Sequence, residues 1–173
     1  MRLPVTDGEV PARVVIDTNV CLDLFIYRDA AAEPLMQALR SGRVLAVTRA
    51  DCRDEWQRVL HYPQIGLDEV RRRDACAEYD TWLRVRSVPS ALSEVAGVDL
   101  PRCSDPDDQK FLELALESGA RTLLTKDKAL LKLHRKTNKR GLYAILTPQA
   151  WNERIVQGGP GIRYEIAHST SLE

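Results

Sequence analysis

The chain has 173 residues, 44% hydrophobic and 29% charged, with 25 Lys and Arg set against 25 Asp and Glu. That length fits one domain with a sizeable core, and the even charge balance excludes a uniformly basic nucleic-acid coat while leaving local clusters open. No apolar run approaches the ~20 residues of a membrane span, and the start, MRLPVTDGEVPAR, lacks the apolar core of a signal peptide. The expectation is a cytoplasmic protein with no membrane partner.

The elements follow in chain order. Val14-Val15-Ile16 is a β-branched run that reads as a buried strand. DAAAEPLMQALRSG reads as a helix closed by Gly42, and Leu35, Met36 and Leu39 form its apolar side. RVLAVT is a second strand. RADCRDEWQRVLHYP is a helix stopped by Pro63. A long, charged helix is expected over 67–86, then irregular chain over 87–104 with Pro89 and Pro101. DPDDQKFLELALESGA opens another helix, followed by the strand RTLLT. KDKALLKLHRKTNK reads as one short helix, LYAIL as a strand and TPQAWNERIVQ as a last helix. The chain is expected to be a single domain over 1–173, with its core at about 13–150 and a Gly-rich, then polar tail over 157–173.

Strands alternating with helices predict βαβ units and a parallel sheet of the α/β class. In such sheets ligands gather beyond the carboxyl ends of the strands. Cys21, Cys52, Cys76 and Cys103 form no CxxC pair, so they are expected to be reduced and mostly buried. His61, His134 and His168 are isolated and are expected to be structural or solvated.

Four acids map to the carboxyl edge. Asp17 follows the first strand, and Asp127 follows Leu123-Leu124. Asp108 shares a helix face with Phe111, Leu112 and Ala115. Glu55 borders the stripe of Cys52, Trp56, Val59 and Leu60. Each has an ordinary explanation. Asp105 suits an N-cap, Pro106 the first helical position, and Asp107 and Asp108 favour the helix dipole. Glu55 has Arg58 or Arg102 as possible ion-pair partners. As a set, with no lysine or arginine obviously buried among them, the four carboxylates would repel one another unless a cation sat between them. Oxygen donors without His or Cys favour Mg²⁺ or Mn²⁺. Such a site suits phosphodiester hydrolysis.

VVIDTNV, DEWQRVL, DPDDQKFLELALESGA and LLTKDKALL resemble, in order and rough spacing, the motifs of the PIN-domain nucleases, in particular the VapC-like toxins of bacterial toxin–antitoxin systems. The resemblance covers roughly residues 13–150. It implies a three-layer α/β/α fold around a central parallel sheet of four or five strands. It also implies metal-dependent cleavage of RNA, inhibited by a cognate antitoxin, and a homodimer. By that likeness Asp17, Glu55, Asp108 and Asp127 are catalytic, metal-site acids. Asn19 steadies Asp17, and Thr125 fills the family's hydroxyl position. Asp105 and Asp107 enlarge the third motif, leaving open which acid there meets metal.

Lys126, Lys128, Lys132 and Arg135 lie beside Asp127 and form a candidate RNA-binding face; a solvated helical face explains them equally well. The expected activity is a Mg²⁺- or Mn²⁺-dependent endoribonuclease with RNA and an antitoxin as partners. The alternatives are a hydrolase of small phosphate esters and a non-catalytic interaction module. Asn19 stands where an aspartyl-phosphate enzyme of the haloacid-dehalogenase type needs a second aspartate, which argues against that route.

Overall fold

The computed structural model describes residues 10–86 and 97–157. Five strands form one sheet: β1 (Ala12–Ile16), β2 (Val44–Thr48), β3 (Leu83–Val85), β4 (Thr122–Leu124) and β5 (Ala144–Leu146). Their order is β3-β2-β1-β4-β5 and every pairing is parallel. Register is tight at the centre, where Val15 lies beside Val47 on one side and Leu123 on the other.

The helices are α1 (Thr18–Leu22), α2 (Glu33–Arg40), α3 (Ala50–Val59), α4 (Glu69–Trp82), α5 (Gln109–Glu117), α6 (Lys128–Leu131), α7 (His134–Lys139) and α8 (Pro148–Val156). A π-helical turn, Asp23–Tyr27, continues α1, and a 3₁₀ turn, Pro106–Asp108, leads into α5. Gly42 takes a positive φ just past α2, as a helix-terminating glycine does.

The period-two alternation of the strands sorts the core into two faces. Val14, Ile16, Ala46, Leu124 and Leu146 pack with Val20, Leu35, Met36, Trp56, Tyr79 and Trp151. Val15, Val47, Leu123 and Ile145 pack with Phe111, Leu112, Ala115 and Leu130. Helices therefore cover both faces, giving three α/β/α layers. Parallel strands buried on both faces account for the continuous apolar runs in the sequence. Among the described residues no helix is long and apolar enough to cross a membrane.

Two elements differ from the sequence reading. The charged helix ends at Trp82, and the next three residues add a fifth strand beside β2. Leu83 is buried there, while Arg84 and Val85 are exposed. The single helix expected over KDKALLKLHRKTNK is two, α6 and α7, separated at Lys132-Leu133. Residues 87–96 of the expected irregular segment, and 158–173 of the tail, lie outside the described residues.

The four cysteines are free; Cys21, Cys52 and Cys103 are buried. His134 is structural: its Nδ1 accepts the backbone N–H of Ile145 at 3.0 Å. Trp56 stacks on Tyr79 at 5.4 Å between centroids, and its indole N–H finds no partner among the described residues. Arg49, directly after β2, donates to Asp51, Glu113 and Glu117 at 2.8–3.0 Å and so ties the start of α3 to α5.

Candidate active site

The chain leaves β1 toward β2 on one side and later places β4 on the other. The centre of the sheet is thus a topological switch point, the place where parallel sheets form a ligand crevice beyond their carboxyl ends. Asp17 stands there at the end of β1. Its backbone N–H donates to Leu124 O at 2.9 Å, and it is only 3% exposed. Its Oδ2 accepts from the Thr125 hydroxyl at 2.7 Å and from Asn19 Nδ2 at 3.0 Å. Asn19 also turns its Oδ1 to the backbone N–H of Lys126 at 3.1 Å, bracing the β1 and β4 ends against each other. Thr125 does the same in reverse, since its oxygen accepts the Asp127 N–H at 2.9 Å. Both polar residues expected to support Asp17 are therefore in contact with it.

Asp127 caps α6. Its Oδ1 accepts from Ala129 N at 2.7 Å and Leu130 N at 3.2 Å. Asp108 ends the 3₁₀ turn that begins at Asp105, whose own Oδ1 accepts the Asp107 N–H at 3.0 Å. Asp105 is thus the cap that the sequence suggested, and it faces solvent.

The acids feel one another. Burial raises the Asp17 carboxyl from 3.8 to about 7; the Thr125 hydrogen bond opposes this, while the charges of Asp108 and Glu55 add to it. Burial likewise raises Asp108 to about 6, with Asp105, Asp127 and Glu55 pushing upward and Lys110 pulling back. Asp108 is the link between the Glu55 side and the Asp127 side.

Glu55 borders the buried stripe as expected, but its partner differs. Its Oε1 accepts from the Thr18 hydroxyl at 2.5 Å, and its Oε2 is ion-paired with Lys110. Both side chains of that pair are about 15% exposed. The expectation that no basic side chain lies among the acids is corrected by Lys110. The partner of Glu55 is neither Arg58 nor Arg102. Lys110 escaped the sequence reading because one residue in a helical turn does not announce a partner fifty-five positions earlier; its place two residues after Asp108 was the available hint.

An acid was also missed. Asp23, buried at the start of the π-helical turn, receives the Lys126 ammonium at 2.7 Å. Of the four basic residues expected to face RNA, Lys126 is thereby engaged. Lys128, Lys132 and Arg135 are exposed and form no ion pair among the described residues.

The sequence matches the PIN domain family over residues 13–129. The chain is a PIN domain. PIN domains are generally nucleases. The same fold occurs in the crystal structure of VapBC2 from Rickettsia felis bound to a DNA fragment from their promoter. The TM-score is 0.50 at 10% sequence identity, covering 77% of this chain and 96% of that one. At that identity the likeness is one of fold. No curated protein matches this PIN domain closely in sequence.

The donor set of this PIN domain suits a hard divalent ion: carboxylate oxygens held under mutual repulsion, two of them on acids that burial drives toward protonation. They do not form a closed cage. Among the described residues no group of three or more His, Cys, Asp or Glu side chains is arranged to hold a metal ion.

Proposed function

We propose that this PIN domain is a divalent-metal-dependent endoribonuclease, the toxin half of a toxin–antitoxin pair, working in the cytoplasm. The observation that supports this most is that Asp17, at the end of β1, and Asp108, in the 3₁₀ turn before α5, each feel the charges of other acids, Asp127 acting on Asp108. Asp17, Asp108 and Asp127 would hold Mg²⁺ or Mn²⁺. When bound, such an ion offsets phosphate charge and activates water.

The rest of the work falls to the chain itself. Thr125 and Asn19 fix the Asp17 carboxylate, and Thr125 also anchors the backbone that carries Asp127. Thr18 fixes Glu55, which acts from the side of the crevice. Lys128, Lys132 and Arg135 on α6 and α7 offer an electrostatic track for the RNA backbone next to Asp127. Lys126 joins that track only after releasing Asp23. An antitoxin and a second copy of the chain complete the expected partners; both extend the VapC likeness.

The test is incubation with RNA and Mn²⁺, with and without chelator, beside Asp17→Asn. Cleavage that needs the metal and disappears in the variant is the expected result. Cleavage that persists in both controls sinks the reading. A chromogenic phosphate ester hydrolysed faster than RNA would shift it to small phosphate esters, and calorimetry without any divalent-ion binding would shift it to an interaction module.

A further inference from the structure

Lys110 is not an ordinary surface lysine. It sits in the first turn of α5, two residues after Asp108. Its ammonium is held at two points, by Glu55 Oε2 and by the backbone carbonyl of Asp107. It also lies 5.0 Å from the centroid of the Phe111 ring. The side chain is only 14% exposed, and its charge acts on Asp108 as well as Glu55. Long lysines on helices usually keep their heads in water; this one is drawn into an acidic crevice and fixed there.

The crevice is thereby divided. On the Glu55 side both carboxylate oxygens are taken, one by Thr18 and one by Lys110. On the other side Asp17 accepts the side-chain donors Thr125 and Asn19 at Oδ2, and Asp127 accepts its helix-cap bonds at Oδ1. The side-chain oxygens of Asp108 accept no hydrogen bond among the described residues. An ammonium thus already neutralises the Glu55 side. Metal ions in a paired site lie ~3.5–4 Å apart. A second dication at Glu55 would have to displace the ammonium or sit against it, and close like charges repel strongly where water is scarce.

We propose that Lys110 is a resident cation standing where a second metal ion would go, so that the crevice takes a single divalent ion on its Asp17–Asp108–Asp127 side. The inference rests on the metal-dependent reading above and adds to it a stoichiometry and a residue that sets it. Lys110 acts through Glu55 and the charge balance, so it is a positioning residue.

The experiment counts ions rather than turnover. The full chain is titrated with Mn²⁺ by calorimetry, and free Mn²⁺ is counted in parallel by electron paramagnetic resonance. Wild type is expected to bind one ion, Lys110→Met two, and Lys110→Arg, which restores the charge, one again. Two ions in wild type overturn the inference and leave the nuclease reading standing. One ion in Lys110→Met, or two in Lys110→Arg, overturns it as well. No binding by wild type removes the metal-dependent reading itself, and the inference with it. If circular dichroism shows Lys110→Met to be unfolded, the wild-type count alone decides.

Discussion

Removing the Asp17 charge is expected to stabilise the fold while abolishing metal-dependent cleavage. In the native chain this carboxyl is raised from 3.8 to about 7. At pH below 3.8 it is neutral whether folded or unfolded, and costs nothing. As pH rises further the unfolded chain releases the proton while the folded chain keeps it, so stability falls until the folded group ionises near 7. At ~1.4 kcal/mol per pH unit, that span amounts to roughly 4 kcal/mol lost by pH 8. Asn at position 17 never ionises, and it still offers an oxygen to Thr125 and Asn19. The strength of those bonds to the charged form is already contained in the value of about 7, so the expected gain at pH 8 stays at roughly 4 kcal/mol. The assay is urea unfolding in chelator at pH 4 and pH 8, wild type beside Asp17→Asn. The variant should be clearly more stable at pH 8 and nearly equal at pH 4, and Mn²⁺ should raise wild type alone. A variant no more stable than wild type at pH 8 refutes the reasoning.

Replacing Lys128, Lys132 and Arg135 together by Ala should weaken RNA binding evenly across sequences and flatten the salt dependence by about 2 in log–log slope, at ~0.7 per single-strand phosphate contact; an unchanged slope in filter binding would clear these residues of contact. Trp56→Phe should cost about 1–2 kcal/mol, since the lost indole N–H has no partner, whereas Trp56→Ala should cost about 3–5; equal losses in denaturant unfolding would contradict this. Arg49→Ala removes the hub of three carboxylates and should cost about 1–3 kcal/mol, a loss that a thermal or urea melt would fail to show if the cluster merely decorates the surface.

The strands beside the crevice were legible because β-branched and leucine runs buried on both faces have few other homes. Asp17 and Asp127 were legible because they follow such runs directly, and Asp108 because helix periodicity puts it at the head of an apolar stripe. β3 was not: Leu83-Arg84-Val85 continues the polar pattern of α4, and its pairing with β2 is a tertiary fact. The break between α6 and α7 has no marker, for the segment contains neither Gly nor Pro. Glu55 was placed correctly beside the buried stripe, yet its partner came from α5, beyond the reach of local pattern. Asp23 stayed hidden because its partner, Lys126, comes from just after β4, more than a hundred residues later.

One histidine carries a consequence for how molecules of this protein meet. Ala144 N–H turns inward to Arg121 O, so that of Ile145 turns outward from the last strand, where the imidazole of His134 receives it. An unclaimed donor on a boundary strand invites another chain to dock there and extend the sheet. With that donor already occupied and α7 laid alongside, this margin is closed to an added strand, and the guard lasts as long as the ring nitrogen keeps its lone pair.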